Sequence, residues 1–288
     1  MNEVFSRNNG LIRLYLEQKM SQIEAHPEVE NRNTQLFFKY VGDGVEYLSE
    51  SSSEEEEFKT PVEWISFKQQ FFNSTIMSNG EFEFGQLNSD NLSEEDPYLK
   101  HFEATVTMPY AHERERVYDL RFFFGPNHYQ TLNKLDNELE DIIPLGRGIM
   151  SWVSVINKWV IIPVFNFLED INLPYWAIII ILTVLIKLAL SPLTYRSYKS
   201  QAKMKLLKPE LDELREKYKD DQQKFGAEQM KLYQKAGVNP LGGCLPMVLQ
   251  MPFLIAMYYF FPSSIELRQE AFLWAGDLST YDSILDLP

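Results

Sequence analysis

The chain has 288 residues and a formal net charge of −14, with 45% hydrophobic and 24% charged residues. These averages describe an ordinary acidic globular protein of one or two domains and exclude a disordered chain. One cysteine, Cys244, excludes an intramolecular disulfide framework, and the four histidines (His26, His101, His112 and His128) match no zinc-ligand spacing, so no metal site is expected; no nucleophile–base motif, phosphate loop or dinucleotide fingerprint occurs, so no catalytic or cofactor site is expected either.

The charge is unevenly placed. Residues 1–172 hold 29 acidic and 14 basic side chains, residues 192–237 hold 11 basic and 7 acidic, and residues 263–288 hold five acidic and one basic. The first block reads as mainly β. Gln35–Tyr40, Glu81–Phe84, Phe102–Met108 and Val117–Phe124 are short, aromatic and β-branched, separated by the turn signals Gly42-Asp43-Gly44, Asn79-Gly80 and Asn88-Ser89-Asp90. Ser51–Glu57 (SSSEEEE) reads as a solvated loop, and Asn127–Asp141 as a helix with Leu132, Leu135 and Leu139 on one face.

From Ile149 to Leu168 the chain is apolar apart from Lys158. Ile149, Trp152, Val153, Ile156 and Val160 share one helical face, Ser151, Ser154 and Lys158 another, and Pro163 interrupts the run. An amphipathic helix in the headgroup region, anchored by Trp152 and Trp159, fits this pattern better than a span. Met1–Met20 lacks the apolar core of a signal peptide. Either an anchor precedes this chain, or Ile149–Leu168 crosses the bilayer and the N-terminus is inside.

Two stretches are apolar enough to span a bilayer, which takes roughly 20 residues as a helix. Tyr175–Ser191 carries one charge, Lys187, and Leu241–Phe261 carries none. Arg196, Lys199, Lys203, Lys205 and Lys208 follow the first before any acid, which places residues 192–237 in the cytoplasm and the flanking blocks outside. Lys187 has two readings. Its amine lies about 9 Å of helix from the cytoplasmic end and can snorkel to it, or it marks a functional site. Thr183, Lys187, Ser191 and Thr194 recur at spacings of 4, 4 and 3, and such a polar stripe is easier to place against a wet cavity than against lipid.

Between the stretches, Met204, Leu207, Leu211, Leu214 and Tyr218 form the seam of a helical hairpin broken at Pro209. Asp220-Asp221 caps its second arm, which carries Phe225, Leu232 and Ala236 and ends at Gly237. The hairpin is a connector or a docking element for a partner. The second stretch opens Asn239-Pro240-Leu241-Gly242-Gly243-Cys244-Leu245-Pro246 and runs on through Gln250-Met251-Pro252. Neither stretch contains Asp, Glu or His, which argues against an intramembrane hydrolase. A transporter or channel subunit binding an anionic solute at Lys187 is the rival class.

Asn239–Pro252 (NPLGGCLPMVLQMP) resembles the hallmark of the YidC/Oxa/Alb membrane protein insertases, with Asn239, Pro240, Gly242, Gly243, Pro246 and Pro252 as the signature. Pro192-Leu193-Thr194-Tyr195, Glu266-Leu267-Arg268-Gln269, Phe272-Leu273-Trp274 and Asp277-Leu278-Ser279 extend the likeness. Trp64–Phe72 and Gly125-Pro126 resemble the periplasmic domain of the Gram-negative YidC type. The resemblance implies a membrane α-helical core of two transmembrane helices, a cytoplasmic hairpin and an interfacial helix, behind a mainly-β periplasmic domain that is a partial β-sandwich. The expected segments are 1–146 (sandwich), 147–170 (interfacial helix), 173–194 (span), 195–237 (hairpin), 238–262 (span) and 263–288 (periplasmic loop).

It also implies a multi-pass inner-membrane insertase and chaperone, with no enzymatic activity. Such a protein accepts hydrophobic segments of nascent membrane proteins in a hydrophilic groove and releases them into the lipid bilayer, alone or with the Sec translocon. Lys187, Thr183, Ser191 and Gln250 line that groove on this reading, and the hairpin receives substrate or the ribosome, with no direct nucleic-acid contact implied. The chain is expected to be incomplete at both ends and, alone, not to insert substrates.

Overall fold

The computed structural model describes residues 11–93, 95–110, 117–219, 221–237 and 245–280. The chain divides into two compact units, residues 1–144 with 261–288, and residues 145–260.

Among the described residues the first unit holds nine strands: β1 (Leu11–Ser21), β2 (Gln35–Tyr40), β3 (Val45–Tyr47), β4 (Glu54–Phe58), β5 (Val62–Lys68), β6 (Phe72–Phe82), β7 (Phe84–Asn91), β8 (Tyr98–Pro109) and β9 (Leu120–Pro126). A short helix, α1 (Pro27–Asn33), separates β1 from β2. The strands form a four-stranded sheet, β1-β8-β7-β4, and a five-stranded sheet, β3-β2-β5-β6-β9, with antiparallel pairing throughout. One core joins them. Met20, Phe58, Leu87, Phe102 and Val106 from the first sheet pack with Leu36, Phe38, Ile65, Phe67 and Ile76 from the second. This is the β-sandwich expected from the sequence.

Several local readings are corrected. Glu54–Phe58 is a strand, because β7 supplies its partners from Glu54↔Ser89 to Phe58↔Gly85; four glutamates at a sheet edge keep solvent contact while only Phe58 is buried. Asn79-Gly80 and Asn88-Ser89-Asp90 lie inside β6 and β7 and are not turns. Glu81–Phe84 is the junction of those two strands, and Val117–Phe124 becomes a strand only at Leu120. The helix expected over Asn127–Asp141 is reduced to α2 (Tyr129–Asn133) and a 3-10 turn, Leu139–Ile142. Asp136 and Glu138, at φ 53° and 60°, break it, while Leu132 and Leu139 are buried as expected. β1 lies outside the strands expected from the sequence, although its side chains alternate in exposure along most of its length.

The second unit is helical. A 3-10 turn (Gly148–Met150) leads into α3 (Val153–Ile156), a π-helical turn (Asn157–Ile161) and α4 (Ile162–Asp170). The buried face of this segment is Val153, Asn157, Ile161, Phe165 and Leu168; Ile149, Trp152 and Val160 are exposed. The π turn widens the helix ahead of Pro163 and shifts the stripe away from that of a regular 3.6-residue repeat. Then come α5 (Tyr175–Leu206), α6 (Lys208–Lys217), α7 (Gln222–Lys235) and α8 (Leu245–Ser263). α6 opens with Pro209 in its first turn; Asp221 Oδ1 caps α7 by accepting from the Lys224 N–H at 3.0 Å, and Gly237 follows at φ 61°. Asp220 lies outside the described residues.

Candidate functional site

α5 is one helix of 32 residues, and among the described residues it is the one long and apolar enough to cross a membrane. Most of its apolar surface faces outward: Ile180, Val184, Leu185 and Leu188 are exposed, while Ile178, Leu182 and Ile186 are buried. An exposed apolar helix of this length has lipid, not water, as its natural solvent. The helix passes Pro192 without breaking. Pro192 has no N–H to give the carbonyl four residues back, and the Ser191 hydroxyl donates to that Leu188 carbonyl instead, at 2.8 Å. Ser191 thus has a structural task besides the one read from its spacing.

The polar stripe takes shape on this helix. Thr183 is half-buried and its hydroxyl donates to the Ile179 carbonyl at 2.8 Å; Thr194 donates to Leu190 at 2.9 Å. With their protons committed to the backbone, these hydroxyls retain acceptor lone pairs. Lys187 is exposed, and among the described residues its ammonium has no hydrogen-bond or ion-pair partner. An unpaired cation amid apolar side chains has to draw its partners from water, lipid headgroups or a bound segment.

On α8, Gln250 is exposed, and Pro246 and Pro252 are half-buried within a helix free of charged residues. No hydrogen bond joins Gln250 to Lys187, Thr183 or Ser191 among the described residues. The structure brings three of the four predicted groove residues together on α5 and places the fourth on a second helix. Asn239, Pro240, Gly242 and Gly243, with Cys244, lie outside the described residues.

Two features escaped sequence reasoning. Asn157 is fully buried in the π turn, where its amide donates to the Leu145 carbonyl at 2.8 Å while its Oδ1 is buried without a partner among the described residues. A signal existed: Asn157 sits four residues after Val153 and four before Ile161, in line with the buried stripe. The opposite side of this segment carries exposed Ile149, Trp159 and Phe167, an apolar and aromatic surface suited to the membrane interface. No group of three or more His, Cys, Asp or Glu side chains able to hold a metal occurs among the described residues.

Comparison with known proteins decides the family. A family model described as "YidC periplasmic domain" matches residues 17–162, and one described as "60Kd inner membrane protein" matches residues 167–288. The chain belongs to the YidC family. The membrane protein insertase YidC of Parabacteroides distasonis is 40% identical over 294 residues, covering 99% of this chain and 46% of the relative. That of Bacteroides fragilis is 40% identical over 279 residues, covering 94% and 45%, and that of Amoebophilus asiaticus is 44% identical over 246 residues, covering 84% and 41%. This chain therefore spans about half the length of the curated YidC relatives it matches. The boundary between the two family matches, at residues 162–167, falls inside the helical segment that precedes α5. YidC membership makes this an inner-membrane protein, and most of the two-sheet unit falls within the match to the periplasmic-domain model.

Proposed function

We propose that this chain is the substrate-handling middle section of a multi-pass membrane protein insertase. α5 and α8 both cross the bilayer, residues 195–237 form a cytoplasmic hairpin, the sandwich lies in the periplasm, and residues 147–170 lie along the interface. Lys187, with Thr183, Ser191 and Gln250, keeps a hydrated groove in the cytoplasmic half of the membrane. Polar or acidic flanks of a nascent membrane protein enter it without the full cost of crossing hydrocarbon, and the apolar segment moves sideways into lipid. Substrate arrives from the ribosome through the hairpin or from the Sec translocon. No covalent bond is made or broken.

The observation that carries this reading is Lys187, without a partner among the described residues, within the long apolar helix α5 of a chain about 40% identical to proteins named insertases. The test is Lys187→Ala in the complete protein, scored by protease protection of single-span substrates with acidic translocated tails. Insertion should fall severalfold, with Lys187→Arg retaining most of it, because the groove needs a cation and not a particular donor geometry. Full insertion by the alanine variant overturns the role of the cation.

A further inference from the structure

The loop that follows α8 is bound to the sandwich at a point built to read a guanidinium. Arg268 Nε donates to Glu24 Oε1 at 2.9 Å, and both side chains are largely withdrawn from solvent. The guanidinium carbon lies 5.4 Å from the centre of the Phe72 ring and 6.0 Å from that of Phe71. Within reach of the same group is Glu30, fully buried, whose carboxylate accepts from the backbone N–H groups of Ile23 and Glu24 at 3.1 and 3.0 Å. Glu30 thereby fixes the backbone that aims the Glu24 carboxylate. An acidic acceptor held rigid beside two aromatic faces suits a planar, weakly hydrated cation. A compact, strongly hydrated ammonium fits it less well.

The rest of the loop closes around this contact. Leu267 is fully buried, His128 Nε2 lies 3.2 Å from Glu266 Oε1, and the Gln70 amide donates to the Pro262 carbonyl at 3.3 Å. A cavity of about 20 Å³, room for one water, lies between the Glu24–His26 stretch and Asp277–Thr280. The contacts come from the β1–α1 connection, the β5–β6 turn and the start of α2, which lie far apart in sequence.

We propose that Glu24, Phe71 and Phe72 form a guanidinium socket on the periplasmic domain, occupied in cis by Arg268, that straps residues 262–280 to the sandwich. The strap makes the outer end of α8 part of the periplasmic unit. It stands on these contacts alone, independently of how Lys187 works.

The test is hydrogen exchange on the complete protein in nanodiscs, read on peptides covering residues 264–279 and, as a folding control, on β8. Arg268→Ala should speed exchange of the loop by roughly tenfold or more, the scale of losing a charge-assisted hydrogen bond, and leave β8 protected. Guanidinium chloride far below denaturing concentration should restore part of the protection, whereas equal sodium chloride should not. Arg268→Lys should restore less than half. Should Arg268→Ala also expose β8, Glu24→Gln, which leaves the loop sequence intact, decides by the same readout. Unchanged loop exchange in Glu24→Gln or in a folded Arg268→Ala, full recovery with lysine, or the absence of guanidinium rescue each overturns the socket. Because exchange does not depend on substrate insertion, this result and the Lys187 test can fail separately.

Discussion

Lys100 shows how much a single side chain can be asked to bear. It lies on β8 between Met20 and Asn91 of the neighbouring strands, is fully buried, and donates from Nζ to the Glu50 carbonyl at 2.8 Å. Burial pushes its pKa down from 10.5 to about 8, partly countered by the Glu50 charge. The folded state therefore releases this proton before the unfolded state does. Stability should be flat below about pH 8 and should rise, by a few kcal/mol at most, as pH climbs towards about 10.5. In Lys100→Met that rise should vanish, whatever offset comes from stranding the Glu50 carbonyl; denaturant midpoints at about pH 7 and about pH 10 measure it. Persistence of the slope in the variant would assign it to another group. Lys100 was invisible in the sequence because a lysine on a strand reads as solvent-facing, and only the sandwich's second layer makes it otherwise. Lys187 stands out in the sequence for the opposite reason: its neighbours along a single helix define its polar stripe, with no tertiary contact required.

Among the elements, those whose residues are self-sufficient were the readable ones. β2 matched its expected limits because its aromatic run has one outcome in any fold with a core. β4 was misread as a loop, since its glutamates have no β preference of their own and take strand form from pairing with β7. That pairing depends on Gly85. A Cβ there would lie 2.1 Å from the Thr105 carbonyl oxygen and 2.8 Å from the Phe58 ring. Gly85→Ala must shift backbone or expel Phe58, and should destabilise the sandwich by about 1–3 kcal/mol. Thermal unfolding of the complete protein, followed by exchange in β4 and β7, checks this; an unchanged melting point would show that the strand pair can part at little cost. The segment before α5 was misphased for a related reason: a π turn cannot be read from a 3.6-residue repeat, so its apolar content was legible while its buried face was not.

On the scale of the whole molecule, the net charge of −14 resolves into an acidic first block, a basic stretch over residues 192–237 and an acidic stretch over residues 263–288. The mainly-β character of the first unit and the helical character of the second were legible, because composition changes sharply between them; the two-layer sandwich came from the family resemblance alone. With Cys244 replaced by serine, a cysteine at exposed Ser52 should react with an impermeant maleimide in intact spheroplasts, and one at exposed Lys224 only after permeabilisation. Reversed labelling would invert the proposed orientation. The docking of residues 262–280 escaped reading, since its partners are separated from it by more than a hundred residues and no local pattern announces them.

The unbroken passage of α5 through Pro192 has a mechanical meaning. At about 1.5 Å per residue its 32 residues reach about 48 Å, against a hydrocarbon layer of about 30 Å. The surplus, roughly a third of the length, includes the residues from 195 to Leu206 that open the proposed hairpin, so hairpin and span share one continuous helix. On the proposed topology, a tilt imposed on those outer turns would pass along one helix to the turns that carry Thr183 and Lys187, so the two ends of α5 would be geared to one another.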